Sequence, residues 1–259
     1  MHVFKDQLNR KIRLKSVPKR IVSLVPSQTE LLVDLGLKDC IVGVTKFCVH
    51  PIDIRKQKAV VGGTKAIKIK KIKALKPDII LCNKEENTLE IVNSLDNIAP
   101  VHISDIYSIE DCYELITMYG EIFDMATKAK LLIVNIENQR KSYIHKKNKA
   151  NSVAYFIWKA PWMVVGSNTF IDAMISEAGF ENSFKSKVRY PEIQLDDDLL
   201  KEADFIFLSS EPYPFKASHI AELKNKFPDK TIKIVSGEFF SWYGSRLLGS
   251  FNYFRSLGQ

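Results

Sequence analysis

The sequence predicts an α/β protein with two lobes, each built on a parallel sheet, joined by one long helix and enclosing a ligand cleft between them. Three observations predict this fold. Short apolar, β-branched segments alternate with helical segments, an uninterrupted helix occupies the middle of the chain, and the two halves share a strand-end pattern. A chain of 259 residues is long enough for one large domain or two ordinary ones.

The first half opens with a strand, a polar turn and a helix. Residues 20–25 form an apolar, β-branched run that is typical of a buried strand. Ser27 is predicted to cap the following helix, because Glu30 three residues later completes a capping box. Gly36 is predicted to end that helix. Further strands are predicted at residues 41–44, 78–82 and 101–103, and a short helix at residues 67–75.

The middle of the chain carries the long helix. Apolar residues recur every three or four positions over residues 127–147, and neither Gly nor Pro interrupts them. At 1.5 Å per residue such a helix spans about 30 Å, the width of a small domain. We therefore expect an N-terminal lobe at residues 1–120, a connecting helix at 121–150 and a C-terminal lobe at 151–259. In the last lobe, strands are predicted at 153–158, 204–208 and 231–235, and helices at 170–178 and 246–257.

The two halves share a strand that ends in a glutamate. Residues 76–85 can be laid on residues 202–211, so that Glu85 and Glu211 occupy equivalent strand ends. Ligands of open parallel sheets collect beyond the carboxyl ends of the strands. Both glutamates are therefore candidate ligand-binding residues.

The sequence lacks the motifs of common catalytic sites. It contains no Gly-x-Ser-x-Gly elbow, phosphate-binding P-loop or dinucleotide-binding turn. Residues 62–65 are interpreted as a turn that lines the cleft. An enzyme using His50 or Cys48 would need a base and an orienting group, and neither is recognisable. We expect a protein that is not an enzyme.

His50 leaves two interpretations open. It follows a strand and could ligate a metal ion, with partners from Glu85, Glu211 or Glu238. It could equally be a loop histidine held by hydrogen bonds.

Aromatic residues give a stronger signal for a ligand. All three tryptophans fall in the second half, and aromatic residues there fall at predicted strand ends or loops. Several aromatic loops on one side of a sheet suit a large planar or macrocyclic ligand. The residues are Trp158, Trp162, Tyr190, Tyr213, Phe239, Phe240, Trp242 and Tyr243.

The bulk composition constrains location and partners. The net charge is +8, but no nucleic-acid recognition motif accompanies it, so the lysines are interpreted as a solvated basic face. No apolar run is long enough to span a bilayer, and no signal peptide is visible. The sequence as written predicts a cytoplasmic monomer, or a periplasmic or membrane-associated one if its start is truncated. Four scattered cysteines predict free, mostly buried thiols.

Several blocks of the chain resemble a known family. The sequence is similar to the substrate-binding proteins of ABC transporters that carry cobalamin, haem and iron-siderophores, and it looks closest to the cobalamin-binding branch. The resembling residues lie at 18–32, 35–37, 42–45, 61–64 and 72–80 in the first half, and at Gly166, Phe170, Ile171, Ala178, Gly179 and Asn182 in the second.

The resemblance implies a function and a set of site residues. It implies that a corrinoid, haem or an iron chelate is bound between the lobes without any catalytic cofactor, for delivery to an ABC permease. His50, Thr64, Tyr190 and Glu238 fall at family ligand positions. Together with the residues chosen above, the candidate ligand-binding residues are Ser27, Phe47, His50, Thr64, Glu85, Trp158, Trp162, Tyr190, Glu211, Glu238, Trp242, Tyr243 and Arg246.

The resemblance also implies where a permease would dock. In the cobalamin branch, one acidic surface residue on each lobe pairs with permease arginines. The matching positions here are Lys70 and Asp196. Like charges repel at an interface, so Lys70 opposes such docking while Asp196 favours it. A cytoplasmic ligand carrier or sensor of the same fold is therefore the alternative function.

Overall fold

The computed structural model of the chain describes residues 2–143 and 151–257. These residues divide into two compact units. The first unit contains the described residues of Met1–Ile106, Glu110–Asn138 and Tyr243–Arg246, and the second contains those of Tyr107–Ile109, Gln139–Trp242 and Leu247–Gln259. Each unit is mixed α/β with a largely parallel sheet, as predicted.

The first unit alternates strands and helices. Its strands are β1 His2–Lys5, β2 Lys11–Leu14, β3 Ile21–Ser23, β4 Ile41–Val44, β5 Ala59–Val60, β6 Ile79–Asn83 and β7 Val101–Ser104. Its helices are α1 Pro26–Asp34, a 3-10 helix Lys38–Cys40, α2 Ile54–Gln57, α3 Ile69–Ala74, α4 Leu89–Leu95, most of α5 Ile109–Ile122 and the start of α6 Ala126–Ser142.

Five parallel strands form the sheet of this unit in the order β5-β4-β3-β6-β7. All residues of β3 and β6 are buried, which explains their continuous apolar sequences. The chain runs outward from β3 to β5 and then crosses to β6 on the other side of β3. The strand order therefore reverses between β3 and β6, and the loops after these two strands flank this switch point.

Helix α1 does not begin as the sequence predicted. The helix starts at Pro26, its cap position is Val25, and no side chain caps it. Proline suits this first position because its missing N–H has no intrahelical partner there anyway. Ser27 therefore lies inside the first turn, and the predicted capping box with Glu30 is wrong.

The second unit has its own sheet. Its strands are β8 Asn151–Trp158, β9 Met163–Val164, β10 Phe180–Asn182, β11 Phe205–Ser209 and β12 Thr231–Val235. Its helices are the end of α6, α7 Phe170–Glu177, α8 Asp198–Glu202, α9 Ala217–Lys226, α10 Glu238–Ser241 and α11 Leu247–Leu257. The parallel order is β10-β8-β11-β12, with β9 antiparallel to β8, so the switch point lies between β8 and β11.

The long helix of the sequence is present as α6. Ala129, Leu132 and Ile136 are its buried residues, at the three- and four-residue spacing that predicted it. Residues 126–138 belong to the first unit and 139–142 to the second. The predicted continuation over residues 144–147 lies outside the described residues. The segment Tyr243–Arg246 belongs to the first unit, whereas the sequence division assigned it to the C-terminal lobe.

Each sheet is the centre of an apolar core. In the first unit the core includes Val22, Ile80 and Ile103, and in the second it includes Phe156, Ile206 and Leu208. The four cysteines are free, and all except Cys40 are buried, as predicted. Over the described residues, none of the helices has the length and apolar character to cross a membrane.

Candidate functional site

Polar side chains of the first unit meet at the carboxyl ends of its central strands. Gln28, from the first turn of α1, donates through Nε2 to Ser104 Oγ (2.6 Å) and to the Tyr243 hydroxyl (3.0 Å). Its Oε1 accepts from the Tyr119 hydroxyl at 2.7 Å. Asn83 Nδ2 donates to Ser104 Oγ at 3.0 Å. We call these five residues the first polar cluster.

The first polar cluster is neutral. Burial raises the pKa of both Tyr119 and Tyr243, so their hydroxyls stay protonated. Ser27 also hydrogen-bonds to the Tyr243 hydroxyl. Each group has hydrogen-bond partners, so the cluster holds the strand ends in a fixed shape. Its neutral groups provide no acid or base for catalysis.

The turn after β6 is held by two asparagines. Asn83 Oδ1 accepts from the backbone N–H of Glu85 (2.9 Å) and of Glu86 (3.1 Å). Asn87 accepts from Asn83 N–H at 3.0 Å and donates to the Thr64 carbonyl at 2.9 Å. Glu85 and Glu86 are half-buried on this turn. The predicted residues Thr64 and Glu85 are thus brought to one strand end.

Phe47 and His50 lie in the loop after β4. The Phe47 side chain is 48% exposed. Its ring packs closely against Gly63, where an added Cβ would lie only 3.1 Å from the ring. The Lys46 ammonium sits 4.9 Å from the centroid of the Phe47 ring. His50 is half-buried. Phe47 therefore presents an apolar face with a cation beside it, close to the turn that precedes Thr64.

Arg246 forms an ion pair with Glu30 inside the first unit. Arg246 Nε donates to Glu30 Oε2 at 3.0 Å, and Nη2 lies 2.7 Å from Oε1. Burial raises the pKa of Glu30, while the charges of Arg246 and His50 oppose that rise. Arg246 thereby anchors the segment Tyr243–Arg246, which makes it a structural residue as well as a candidate ligand contact.

Cys48 has the surroundings of an inert thiol. Its Sγ lies 3.1 Å from Thr29 Oγ1 and 3.3 Å from Thr45 Oγ1, and burial raises its pKa. A nucleophilic cysteine needs the opposite environment, one that stabilises the thiolate. The surroundings of Cys48 therefore give no support to an enzyme that acts through this thiol.

No three His, Cys, Asp or Glu side chains of residues 2–143 and 151–257 are grouped so that they could hold a metal ion. The alternative of a metal ion bound by His50 with glutamates therefore finds no support in the geometry.

The second unit also places polar groups at its switch point. Glu211 follows β11 by two residues, as Glu85 follows β6. Ser209 Oγ donates to the Glu211 carbonyl (2.6 Å) and accepts from the buried Tyr155 hydroxyl (3.2 Å). A Cβ at Gly237 would lie 2.5 Å from Glu211 Cγ and 2.6 Å from Ser209 Oγ. Only glycine therefore fits at Gly237.

The Glu211 carboxylate is held by α10 and the residue after it. Oε1 of Glu211 accepts from Ser241 Oγ and from the Trp242 indole N–H, both at 2.9 Å. Glu211 is half-buried, whereas Trp242 is only 7% exposed. Trp242 is thus buried, and its indole N–H orients Glu211. Tyr243 is buried too, in the first polar cluster.

The other predicted aromatic residues divide between surface and interior. Trp158, at the end of β8, is 39% exposed and packs edge-on against Tyr213 at 5.5 Å between ring centroids. Trp162 packs against the core, edge-on to Phe156 and stacked on Phe215. Half-buried Tyr190 has the Arg189 guanidinium 5.4 Å from its ring.

The predicted ligand residue Glu238 is the half-buried first residue of α10.

Lys70 and Asp196 are both on the surface. Lys70 lies in α3 among other exposed lysines. Asp196 precedes Asp197, which caps α8 through the Leu199 N–H at 3.0 Å, and Asp198, which pairs with Lys201 at 2.8 Å. The two predicted docking positions therefore lie in surroundings of opposite charge.

Sequence reasoning missed Gln28, Asn83, Ser104 and Ser209. Each is a buried polar residue next to, or at the end of, an apolar strand. That position is the signal that could have found them, because buried polar groups need hydrogen-bond partners and strand ends bring such groups together.

The chain matches a protein family and shares sequence similarity with known classes of binding protein. The family described as Periplasmic binding protein matches residues 21–232. The ABC transporter substrate-binding lipoprotein YvrC of Bacillus subtilis is 27% identical over 205 residues, which cover 75% of this chain and 64% of that relative. The chain thus spans a little under two thirds of that relative's length.

A second relative and a solved structure extend the comparison. The Vitamin B12-binding protein of Vibrio campbellii is 24% identical over 217 residues, covering 81% of this chain and 77% of the relative. The periplasmic heme-binding protein RhuT of Roseiflexus sp. RS-1, in apo form, has a TM-score of 0.79 with 16% identity, and the match covers 93% of this chain and 99% of that one. The latter shows a shared fold.

Proposed function

The chain belongs to the periplasmic binding protein family, and we propose that it is the solute receptor of an ABC importer for a cobalamin-like corrinoid or an iron chelate such as haem. The relatives are named as a substrate-binding lipoprotein and a vitamin B12-binding protein, and a neighbour of the same fold as a heme-binding protein. Proteins of this family bind their solutes without catalysis.

The arrangement of the strand ends carries the proposal. In each unit, the strand across the switch point ends in a polar residue followed, two residues beyond the strand, by a half-buried glutamate, Glu85 or Glu211. Both turns are fixed by side-chain hydrogen bonds from Asn83 and Ser209. Rigid polar groups at switch points are where α/β sheets bind ligands.

The exposed aromatic residues favour a large ligand with apolar faces. Phe47 in the first unit and Trp158 in the second are the aromatic candidates that keep 48% and 39% of their surface. A corrin or porphyrin ring offers a flat face to such residues, and its amide or carboxylate arms offer groups to polar turns. Trp162 is half-buried, and Trp242 and Tyr243 are buried, so we rank these three below Phe47 and Trp158 as proposed ligand contacts.

We place the receptor outside the cytoplasmic membrane, where an importer takes up its solutes. The lipoprotein YvrC and the periplasmic protein RhuT support this location, and the alternative of a cytoplasmic carrier or sensor is not favoured. For the permease, exposed Asp196 is the proposed contact with a basic surface, and Lys70 requires an acidic or neutral one.

A ligand panel tests the proposal. Cyanocobalamin, haemin and a ferric siderophore are titrated into the purified protein, and binding is followed by visible spectra and by calorimetry. We expect one of them to bind without chemical change. Phe47→Ala and Trp158→Ala should each weaken that binding roughly 5- to 150-fold, the loss of 1–3 kcal/mol typical of a desolvated aromatic contact.

Leu131→Ala is the matched control, since Leu131 is 60% exposed on α6 and should leave affinity unchanged. Binding of none of the three ligands, together with copurification of an unrelated solute, would refute the proposed cargo. Turnover of a bound ligand would refute the receptor function itself.

A further inference from the structure

The hairpin of β1 and β2 has two chemically different faces. Phe4, Ile12 and Leu14 alternate toward the first unit, where Ile12 and Leu14 are 3% and 4% exposed. The intervening residues point outward, because successive side chains of a strand lie on opposite faces. The outward residues are Val3, Lys5, Lys11 and Arg13, all exposed, and exposed Lys15 follows β2. We call Lys5, Lys11, Arg13 and Lys15 the basic face.

The register of the hairpin pairs like charges. Lys5 lies directly opposite Lys11, and Arg13 lies opposite Val3. Opposite residues of an antiparallel pair have Cβ atoms about 4.5–5.5 Å apart, and like charges at that distance destabilise the pair. A two-stranded ribbon has little stability to spare. The arrangement is therefore costly unless something anionic covers it.

The described residues supply no carboxylate to neutralise this face. Their ion pairs include none from the basic face. Two carboxylates of this unit, Asp6 and Asp96, have other partners. Asp6 is 1% exposed and accepts from the backbone N–H of Leu8 (3.1 Å) and Arg10 (2.8 Å), and Asp96 pairs with Arg10 at 3.3 Å. The positive charge of the face is thus presented to an external partner.

We infer that the basic face is a docking surface for an anionic phospholipid bilayer. The face is cationic and carries an apolar residue, Val3, that is 59% exposed. An anionic lipid surface attracts basic residues through its charge alone. Binding to it requires no side chains that recognise a base or a peptide sequence. A β-ribbon that reads DNA inserts into one of the grooves, but this ribbon packs against its own unit through the buried residues Ile12 and Leu14.

This inference goes beyond the proposed solute binding. None of the residues of the basic face belongs to the strand-end turns or to the candidate ligand residues. A receptor held at the lipid surface would diffuse in two dimensions beside a membrane-embedded importer. A variant of the basic face should therefore lose lipid binding and keep solute binding, so the two proposals can be tested independently.

Vesicle co-sedimentation tests the inference. The full chain is mixed with vesicles of phosphatidylglycerol and phosphatidylcholine, or of phosphatidylcholine alone, at low and at high salt. We expect binding to the anionic vesicles only, and its loss at 0.5 M salt because the charges are screened within a few Å. Lys5→Gln/Lys11→Gln/Arg13→Gln should weaken partitioning by roughly 100-fold, about fivefold for each charge removed.

The matched control is Lys68→Gln/Lys73→Gln/Lys76→Gln, which removes the same net charge from exposed lysines in and beside α3. Lys5→Glu adds a second test, because it should stabilise the hairpin against urea while it weakens vesicle binding, so misfolding cannot imitate it. An equal loss in the control variant, equal binding to neutral vesicles, or equally tight binding to duplex DNA would overturn the inference.

Discussion

The position of one hydrogen bond decides what Trp242 does in this protein. Trp242 is a candidate ligand residue because it belongs to the aromatic residues at predicted strand ends and loops. Its indole N–H donates to Glu211 and its ring is buried. A buried indole needs a partner for its N–H, and a carboxylate at a strand end is a strong one. We therefore propose that Trp242 acts by positioning Glu211, a candidate ligand residue.

Trp242→Phe tests this role. The variant keeps most of the ring but removes the donor to Glu211, so we expect the free energy of unfolding to fall by about 1–2 kcal/mol, below the full value for a bond to a charged group because Glu211 is partly solvated. Urea unfolding measures the change. An unchanged stability with a large loss of solute affinity would instead make Trp242 a direct ligand contact.

His102 is a second residue whose environment has a measurable consequence. It lies in β7 with its side chain fully buried, edge-on to Tyr119, and neither ring nitrogen has a hydrogen-bond partner among the described residues. Burial, aided by the charge of Arg10, lowers its pKa to about 3 from the ordinary value of 6.5. The folded protein therefore holds His102 neutral at pH values where the unfolded chain protonates it.

This difference predicts a pH dependence with a definite sign. The unfolded state binds the extra proton below pH 6.5, so stability is lost as the pH falls, by about 1.4 kcal/mol per unit and roughly 2–3 kcal/mol by pH 4.5. His102→Leu should lose correspondingly less stability than the wild type between pH 7 and pH 4.5. Parallel urea curves at both pH values measure it, and identical pH slopes in the two proteins would contradict the prediction.

At the scale of elements, the sequence pattern placed strands and helices with similar accuracy, and helices α7 and α11 lie within one residue of their predicted bounds. Strand β12 and strand β4 fall where their β-branched runs placed them. The start of α1 was misplaced, because Pro26 at the first helical position competes with the capping signal of Ser27. The hairpin β1–β2 escaped prediction because its two strands of four residues carry charges on their outward face and no long apolar run.

A true side-chain cap starts α7. Thr169 Oγ1 accepts from the Asp172 N–H at 3.1 Å, and Thr169 is buried. Thr169→Ala should therefore lower the free energy of unfolding by about 1 kcal/mol. The control is Thr117→Ala, at an exposed position inside α5, where alanine should be neutral or slightly stabilising. Equal effects of the two substitutions would show that the cap contributes nothing.

At the scale of the whole molecule, alternation of strands and helices together with one long helix was enough to predict the fold class. The sequence could not show that Tyr243–Arg246 joins the first unit, because this depends on the distant partners Gln28 and Glu30. The same limit applies to the site. The strand-end glutamates and the bonds of Asn83 and Ser209 within their own turns are local features. The bonds from Asn87 to Thr64 and from Gln28 to Ser104 join residues that are distant in the sequence, so local pattern could not predict them.

We propose above that the strand-end turns of the two units bind the solute. Hydrogen–deuterium exchange, measured with and without the tightest ligand of the panel, tests it most directly. The account predicts slower exchange at the amides of residues 83–87 and 209–211 when ligand is bound, with no change at residues 2–14 of the hairpin. Protection confined to one unit, or located away from both turns, would contradict it.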